Sequence, residues 1–588
     1  MANWILRQSN VCADALAAQF QVDPLLIRIL SNRRISSQKS LKEFFSNDLS
    51  VVDSYEGLPD IGKFIAECTR FRDRGEKVRI IGDYDVDGVL STVILLKGLR
   101  LFGIGADYEI PHRVIDGYGL NENLIENAFR DGIQAIITCD NGISAIDVIK
   151  KASDKGMRIL VTDHHEVLKD TADGQTEILP DARAVVNPKR KASLYPMTEI
   201  CGAQVAYKVI CALNDWSGER ILSKNEEALR RELRILAGLA ALEDVMPLFS
   251  ENHRWVRYAM ENVKSSNNPG LLSLIKKNEL MDKEIKSYHI GFILGPCINA
   301  TGRLDSAKRA VELFTNDSVE ACQAIADELV ALNLERKEKT VEATQRAIEL
   351  VLQNDCGEKV LVVYLENAHE SIAGIVAGRI REHFNRPSFV FTPASEGIKG
   401  SGRSVEGYDM YSHLAMHQEL YYKFGGHKMA AGLTLKEGCI EAFRDAINAS
   451  CELDVKDFEP KLLIDAAPEF SYFTIPLLEQ LDLLEPFGAG NESPLFAAKN
   501  VRLSSVSTFG KEGQFLKITV EQNHRFYTLK SFRLTEPFLE FLRNTFGEKV
   551  LFELRNGREI RIFVAFTVRI NEFNSNRSVE FMLEDYKC

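Results

Sequence analysis

The chain has 588 residues and a formal net charge of −12 at pH 7. It is too long for one hydrophobic core, and its length predicts about three or four domains. Hydrophobic residues make up 45% of the chain and charged residues 27%, as in a soluble globular protein. The acidic balance excludes a basic surface over the whole protein, so any nucleic-acid site must be a local groove.

The composition predicts a cytoplasmic protein without a membrane segment. The first ten residues lack a basic stretch followed by an apolar one, so we expect no secretory signal. The longest apolar runs, such as residues 235–242, are far shorter than the ~20 residues that a membrane helix needs. Eleven cysteines occur without a C-x-x-C pair, and Cys139 and Cys297 lie in apolar surroundings. This usage indicates buried thiols in a reducing compartment.

Three segments in the first third of the chain share one pattern, a short β-rich run followed by polar residues that could bind a metal. The runs are residues 78–82 before Asp83, 135–139 before Asp140, and 158–162 before Asp163, His164 and His165. Helical patterns over residues 89–102 and 143–155 separate them. Strands that alternate with helices predict a parallel α/β sheet, in which ligands bind at the carboxyl ends of the strands.

The first of these strand ends carries three acids, Asp83, Asp85 and Asp87, at alternate positions. Carboxylates this close raise one another's pKa or recruit a cation. The spacing resembles the start of a calcium loop, but residues 89–96 contain no acid to close one, so an EF-hand is excluded. A solvated acidic turn is the alternative for this segment alone. Three separate strand ends with Asp or His favour the metal site instead.

We expect six side chains to converge on this site: Asp83, Asp85, Asp87, Asp140, His164 and Asp244. Carboxylates with an imidazole and no thiolate suit Mn²⁺ or Mg²⁺. Asp140 could bridge two ions about 3.5–4 Å apart, a pair suited to phosphodiester hydrolysis. His165 could then donate to the scissile phosphate, and the alternative for it is a core histidine whose hydrogen bonds are satisfied.

The second half of the chain has three further patterns. Residues 318–353 lack Pro and Gly and predict a long helix that could connect two domains, with a capping box formed by Asp317 and Glu320. Glycine clusters at 373–378, 399–404 and 424–427 are typical of turns that approach phosphate, although each could be a structural turn. Alternating runs at 515–520 and 560–564 predict a small β-barrel.

Taken together, these motifs resemble a known group. The stretches GDYDVDG (82–88), TCDNG (138–142) and TDHH (162–165) are similar to the DHH phosphoesterase superfamily. Other stretches resemble the bacterial single-strand-specific exonucleases of that superfamily; they are residues 111–120, 295–303, 332–337, 400–404, 424–427 and 484–494.

The resemblance implies the domain organisation and the activity. The domains would be an N-terminal helical segment (1–60), a parallel-sheet DHH catalytic domain (61–317), a connecting helix (318–355), an α/β DHHA1 domain (356–453) and an OB-fold β-barrel (454–588). The implied activity is 5′→3′ removal of mononucleotides from single-stranded DNA with two Mn²⁺ or Mg²⁺ ions, in DNA repair and recombination. It also implies a monomer that works with a RecQ-type helicase and a single-stranded-DNA-binding protein.

The same resemblance implies a role for each site residue. Five aspartates and His164 would be metal ligands, and His165 with Asp140 would be catalytic. A second set would face the DNA end and its phosphates; its members are Arg113, Arg303, Ser401, Arg403 and His427. Arginine suits this role because its planar fork matches phosphate oxygens.

Two other functions remain open at this point. A DHH–DHHA1 phosphodiesterase acting on nanoRNA or cyclic dinucleotides would share the metal motifs, but such proteins are shorter and lack the barrel and the Arg303 segment. A replication scaffold with a decayed DHH core would have lost some of its acids, and this chain retains them all.

Overall fold

The computed structural model describes residues 2–8, 12–113, 119–170, 173–216, 227–304, 306–354, 357–394, 397–573 and 576–588. The chain divides into two units. We call Asn47–Phe458 the central unit, and we call Met1–Ser46 together with Glu459–Cys588 the terminal unit. No helix in the described part of the chain is long and apolar enough to cross a bilayer.

The strands and helices are numbered in chain order. The strands are β1 (Asn3–Leu6), β2 (Val78–Ile81), β3 (Ala106–Glu109), β4 (Ala135–Cys139), β5 (Arg158–Thr162), β6 (Leu168–Lys169), β7 (Glu177–Ile178), β8 (Ala184–Val186), β9 (Leu361–Tyr364), β10 (Ser388–Pro393), β11 (Ile398–Arg403), β12 (Tyr421–His427), β13 (Ala430–Leu435), β14 (Lys461–Ile464), β15 (Phe496–Phe509), β16 (Phe515–Gln522), β17 (Arg525–Ser531), β18 (Ile560–Phe573) and β19 (Asn576–Lys587). The helices are α1 (Ala13–Phe20), α2 (Pro24–Asn32), α3 (Gln38–Phe45), α4 (Ser50–Asp53), α5 (Ile61–Arg74), α6 (Val86–Leu101), α7 (Glu122–Arg130), α8 (Ile146–Asp154), α9 (Gly202–Trp216), α10 (Glu227–Glu243), α11 (Ser250–Asn262), α12 (Pro269–Lys277), α13 (Ser287–His289), α14 (Gly295–Leu304), α15 (Lys308–Thr315), α16 (Val319–Asn354), α17 (Ala373–Phe384), α18 (Met410–Ala415), α19 (Ile440–Ala449), α20 (Ile475–Leu481), α21 (Thr535–Phe546) and α22 (Val550–Arg555).

The first sheet of the central unit is parallel throughout, with the order β3-β2-β4-β5-β8. The three strands predicted from the sequence are β2, β4 and β5, and they are neighbours. Every residue of β2 and β4 is buried, because helices cover both faces of the sheet. The parallel α/β prediction is therefore confirmed, and three polar strand ends meet at one edge.

The two helices predicted between these strands begin at different residues. Helix α6 starts three residues early, at Val86, because the Asp85 side chain accepts the Gly88 N–H at 3.0 Å and caps it. Helix α8 starts three residues late, at Ile146, because residues 142–145 form a turn closed by a bond from the Ala145 N–H to the Gly142 carbonyl. Both differences place the polar strand ends in tight loops.

Helix α16 is one continuous helix of 36 residues. It confirms the predicted long helix, but the predicted capping box at Asp317 and Glu320 is wrong. The helix begins at Val319, and Ser318 is the cap, since its hydroxyl accepts the Ala321 N–H at 3.2 Å.

The second sheet of the central unit has the order β12-β13-β11-β10-β9. Only the pair formed by β9 and β10 is parallel. One face packs on α16 and α17 through residues such as Ala347, Val376 and Ile380. The opposite face packs on α18 and α19 through Leu414 and Phe443. The sheet is therefore covered on both sides, like the first one.

The terminal unit is a closed barrel with the strand order β15-β16-β17-β19-β18, which confirms the barrel prediction. Its core also contains Leu26 and Leu30 of α2, which cluster with barrel residues such as Phe566. Strand β1 pairs in parallel with β14. The first 46 residues therefore share a core with the barrel. The five-part division at residues 60, 317, 355 and 453 stays a prediction.

A buried ion pair joins the helices of the central unit. Lys208 on α9 is fully buried, and its ammonium donates to the carbonyls of Val52 (3.1 Å) and Ser54 (2.9 Å). It also lies 3.6 Å from the Glu251 carboxylate on α11, which accepts the Tyr195 hydroxyl. Each charge is tolerated in the interior because the other is present.

We expect Lys208→Met to lower the free energy of unfolding by about 3–5 kcal/mol, because the Glu251 charge is left buried and unpaired. Adding Glu251→Gln should recover part of this loss. The measurement is urea unfolding of both variants and of Lys150→Met, an exposed control expected to change stability by less than about 0.5 kcal/mol. Equal stability of the single and double variants would contradict the pairing.

Candidate active site

The three predicted strand ends meet as the parallel sheet requires. Asp83 follows β2, Asp140 follows β4, and His164 follows β5 after one residue. The Nε2 atom of His164 lies 3.1 Å from the Asp140 carboxylate. Asp140 has a left-handed backbone (φ 60°), which asparagine and aspartate tolerate better than most residues. All three side chains are buried.

The other two acids of the first cluster lie at the start of α6. Asp85 is the N-cap of that helix. Asp87, the second residue of α6, accepts backbone N–H groups from Gly202 (2.6 Å) and Ala203 (2.8 Å), at the N-terminus of α9. A helix N-terminus stabilises a negative charge. A Cβ atom at Gly202 would lie 2.7 Å from the Asp140 Cβ, so only glycine allows this approach.

Asp244 completes the cluster from the end of α10. Its Oδ2 lies 3.5 Å from His164 Nε2, and Asp87 Oδ2 lies 3.6 Å from the same nitrogen. Three sets of side chains have ligand atoms within 4.8 Å of one another; they are Asp140 with His164 and His165, Asp87 with His164 and Asp244, and Asp83 with Asp85 and Asp140. All six predicted metal ligands are therefore brought together.

The charges of this cluster need a counter-ion. Burial, and then the neighbouring carboxylates, raise the pKa of Asp83, Asp140 and Asp244 well above its usual value. In the described part of the chain, Asp83 Oδ1, Asp244 Oδ2 and both ring nitrogens of His164 are buried without a hydrogen-bond partner. Burial also lowers the pKa of His164, so its ring is neutral and can bind a metal. An oxygen-rich set with one imidazole fits Mn²⁺ or Mg²⁺.

Asp163 is not among the six predicted ligands, but its carboxylate contacts both histidines. Its Oδ1 accepts the backbone N–H of His164 (2.7 Å) and of His165 (3.1 Å) and lies 2.8 Å from His165 Nδ1. Its Oδ2 accepts the Ile143 N–H at 2.9 Å. One carboxylate therefore orients both histidines. Its position directly before them was the available sequence signal.

The Asp163 contact also sets the charge of His165. Burial alone would lower the pKa of His165, but the hydrogen bond to Asp163 and the surrounding carboxylates raise it to about 9. Burial would raise the pKa of Asp163, but His165 and the other donors keep it below its usual value. The His165 side chain is 44% exposed, so it is not a core histidine. In the metal-free protein this shift favours the protonated ring at neutral pH.

Helix α14 connects this cluster with the second sheet. Asn299, another residue not selected from the sequence, accepts the Val86 N–H at 3.2 Å, beside the carboxylates. Arg303, one turn further along, donates to the Ser371 carbonyl at 2.7 Å, just before α17. The cluster and the start of α17 are thus linked through one short helix.

The prediction that the three glycine clusters form turns is wrong, because they lie in strands or in a helix. The same segments nevertheless carry the side chains predicted to bind DNA. Residues 399–403 lie in strand β11, residues 424–427 belong to β12, and residues 373–378 begin α17. Because side chains alternate along a strand, Ser401 and Arg403 share one face of β11. A Cβ atom at Gly374 would lie 2.9 Å from Ser401 Oγ and 3.0 Å from Arg403 Nη2, so both side chains lie against the first turn of α17.

The predicted DNA-binding residues form one positively charged group in the central unit, which we call the arginine pocket. Burial and the nearby Arg113, Arg336 and Arg403 lower the pKa of Arg303 to about 9. Burial, and then the charges of Arg403 and His165, lower the pKa of His427. Arg113 lies over the Tyr84 ring at 4.9 Å, beside Asp83. Residues 114–118 of the motif at 111–120 lie outside the described residues.

Three family models match the chain. The model of the DHH family N-terminal domain matches residues 77–240, that of the DHHA1 domain matches residues 357–453, and that of the RecJ OB domain matches residues 464–585. These regions correspond to the first sheet, the second sheet and the barrel.

Whole-length relatives and solved structures agree with the models. The single-stranded-DNA-specific exonuclease RecJ of Bacillus subtilis is 31% identical over 580 residues, covering 97% of this chain and 69% of that protein. RecJ of Escherichia coli K12 is 30% identical, covering 96% of each. The structure of Thermus thermophilus RecJ with Mn²⁺ matches with a TM-score of 0.80 at 22% identity, covering 100% of this chain and 79% of that one. A manganese-bound exonuclease RecJ matches with a TM-score of 0.57 at 28% identity, covering 68% of this chain and 98% of that one. On these matches and on the three domains, the chain belongs to the RecJ family.

Proposed function

We propose that the protein is a metal-dependent exonuclease that removes 5′-mononucleotides from single-stranded DNA, starting at the 5′ end. The observation that carries this proposal is the arginine pocket beside a carboxylate and imidazole cluster in one unit. The cluster suits phosphodiester hydrolysis, and the pocket suits a terminal phosphate. Relatives named as single-stranded-DNA-specific exonucleases support the substrate.

The residues of the cluster divide the chemical work. Asp83, Asp85, Asp87, Asp140, Asp244 and His164 would hold two Mn²⁺ or Mg²⁺ ions. Such ions, when bound, supply Lewis-acid stabilisation of the charge that develops on phosphate oxygens. We assign protonated His165 as the hydrogen-bond donor to an oxygen of the scissile phosphate. Asp163 keeps the ring oriented and charged, so the donor is ready before the strand binds.

The arginine pocket would set the direction of digestion. Metal chemistry alone does not distinguish the two ends of a strand. A terminal 5′ phosphate carries more negative charge than an internal diester, so Arg113, Arg303 and Arg403 with Ser401 and His427 should select it. Each charge-assisted hydrogen bond contributes about 1.5–3 kcal/mol.

The remaining parts of the proposal concern the cell. We infer a monomer that acts in the cytoplasm in DNA repair and recombination, on strands opened by a RecQ-type helicase or covered by a single-stranded-DNA-binding protein. The barrel would hold the strand by base stacking and a positive groove. A phosphodiesterase for nanoRNA or cyclic dinucleotides is the competing function, and a cyclic dinucleotide offered with Mn²⁺ tests it directly.

Asp140→Asn should lower turnover at least about 100-fold, because a ligand of the ions is lost while asparagine tolerates the backbone at this position. The metal-free variant should melt at a higher temperature than the wild type, since a buried repulsive charge is removed. Because the folded pKa of Asp140 is raised, wild-type stability falls as pH rises through that pKa, so the gain should be larger at pH 8 than at pH 5. The exposed Asp147→Asn is the control. Near-normal activity with a lower melting temperature would exclude this assignment.

EDTA should abolish hydrolysis, and added Mn²⁺ or Mg²⁺ should restore it, because the ligand set is rich in oxygen. Either ion should also raise the melting temperature, since it binds the folded state. Differential scanning fluorimetry measures this shift, and Asp140→Asn should reduce it. Full hydrolysis after exhaustive chelation would rule out the metal mechanism.

Arg403→Ala should reduce the preference for 5′-phosphate over 5′-hydroxyl strands about tenfold or more, while the Mn²⁺-dependent melting shift is retained. The measurement is kcat/KM on paired oligonucleotides, with Arg346→Ala on the exposed face of α16 as the control.

The same assay tests the direction. A 3′-labelled linear strand should shorten from its 5′ end, and a circular single strand should stay intact. Release of the labelled 3′ nucleotide as the first product, or cutting of the circle, is incompatible with the proposed polarity.

A further inference from the structure

The arginine pocket contains more positive charge than one terminal phosphate neutralises. Besides Arg113, Arg303 and Arg403, it continues into Arg336 on α16 and Arg379 on α17. A terminal phosphate carries a charge of about −2 at most. With the next diester at −1, two of five guanidinium charges are left over. These two are Arg336 and Arg379 if the other three bind the strand end.

Arg336 is held in place by a chain of contacts that no acid joins. Its Nε and Nη2 donate to Asn333 Oδ1 at 3.2 Å and 2.9 Å. Asn333 is buried and donates to the Cys297 sulfur at 3.3 Å. The Cys297 thiol in turn donates to the Ile293 carbonyl at 3.1 Å. The guanidinium is therefore fixed between α14 and α16, with its Nη1 group unused among the described residues.

Arg379 has no such contacts. It makes no hydrogen bond and no ion pair with any described residue. Helices α16 and α17, which carry the two arginines, pack against each other through residues such as Ala343 and Val376. Burial, and then the charge of Arg379, lower the pKa of Arg336, in agreement with this packing. Within the described ranges, no carboxylate lies in ion-pair distance of either one. A partly buried pair of like charges without an acid favours a bound anion.

The arginines of the pocket follow one another in a row that leads away from the carboxylate cluster. Arg113 lies over the ring of Tyr84, the residue between Asp83 and Asp85, at 4.9 Å. Arg303 on α14 donates to the Ser371 carbonyl just before α17. The contact between Asn333 and Cys297 joins the part of α16 that carries Arg336 to the same helix α14. An enzyme that releases mononucleotides places one nucleotide between the scissile bond and the terminal phosphate. Any anion beyond Arg303 must therefore be attached to the 5′ end itself.

We propose that Arg336 and Arg379 form a second anion-binding subsite, which takes the β-phosphate of a strand with a 5′-diphosphate or 5′-triphosphate end. This inference rests on the proposed function, because it uses the same 5′-end pocket. The reaction is unchanged. The oxygen of water forms a bond to the phosphorus between the first two nucleotides, the bond from that phosphorus to the 3′ oxygen breaks, and the 3′ oxygen takes a proton. The first product is then a nucleoside 5′-triphosphate.

The test uses three oligonucleotides of one sequence with a 3′ fluorophore, which end in a 5′-hydroxyl, a 5′-monophosphate or a 5′-triphosphate. Affinity is measured by fluorescence anisotropy in EDTA, where hydrolysis stops. The wild type should bind the triphosphate strand about tenfold or more tightly than the monophosphate strand, as one added charge-assisted hydrogen bond predicts.

Arg336→Gln should remove most of that tenfold difference and leave the preference for monophosphate over hydroxyl unchanged. Glutamine still reaches Asn333, and Arg336→Lys should retain part of the difference because it keeps the charge. Arg346→Gln, ten residues further along α16 and exposed, is the matched control and should change nothing. With Mn²⁺, mass spectrometry should detect the nucleoside triphosphate as the first product.

Three results would overturn the inference. Equal wild-type affinity for the monophosphate and triphosphate strands would show that no second subsite exists. If Arg336→Gln lowers the affinity for the monophosphate strand and for the triphosphate strand by the same factor, Arg336 binds the first phosphate instead. Inorganic triphosphate serves as a competitor. If it displaces the triphosphate strand at concentrations near the Kd of that strand, the subsite binds free triphosphate, and the proposal that it binds a strand end is wrong. Failure of the proposed function looks different, because the 5′-monophosphate strand would then lose its advantage over the 5′-hydroxyl strand.

Discussion

The repulsion among buried carboxylates at the edge of the first sheet governs the rest of the central unit. Parallel strands bring Asp83 and Asp140 to one edge, and α6 adds Asp85 and Asp87. Nothing in the sheet itself compensates these charges. The N-terminus of α9 compensates Asp87 through two backbone N–H groups, and a bound cation is needed for the others. The repulsion among these carboxylates lowers the stability of the metal-free protein, and a bound cation relieves it. This relief is the physical basis of the metal affinity.

The site has two poles of opposite charge, the carboxylate cluster and the arginine pocket. Each pole attracts ions of the opposite sign. The carboxylates attract cations, and the arginines attract phosphates. A strand end with its metal ions would neutralise both poles at once, so binding can be strong although the chain has a net charge of −12. His165 lies at the carboxylate pole, with its Nδ1 atom 3.9 Å from Asp140 Oδ1, and its contact with Asp163 raises its pKa. The acidic chain therefore needs no basic surface to hold nucleic acid.

The sequence predicted the site better than the elements around it. Apolar strands followed by Asp or His are a local signal, and parallel pairing then brings the strand ends together, so the six clustered side chains could be found. The position of α6 depends on Asp85 acting as a cap, and periodicity does not report that contact. Asp163 was not selected because its role is to hold two histidines rather than to bind a metal. The glycine clusters were misread as turns because strand β11 packs glycines against the core while Ser401 and Arg403 face the other way, and this depends on its neighbours in the sheet.

The terminal unit has a consequence for how the chain folds as it is synthesised. Helices α1 to α3 share a core with a barrel that lies about 410 residues later in the chain. At ~5–20 residues per second, the ribosome takes roughly 20–80 s to supply those residues. During that time Leu26 and Leu30 lack the barrel core that they pack against, while the whole central unit can already fold. The first residues made are thus among the last to reach their native contacts, and a chaperone that covers apolar segments would act first at this N-terminal segment.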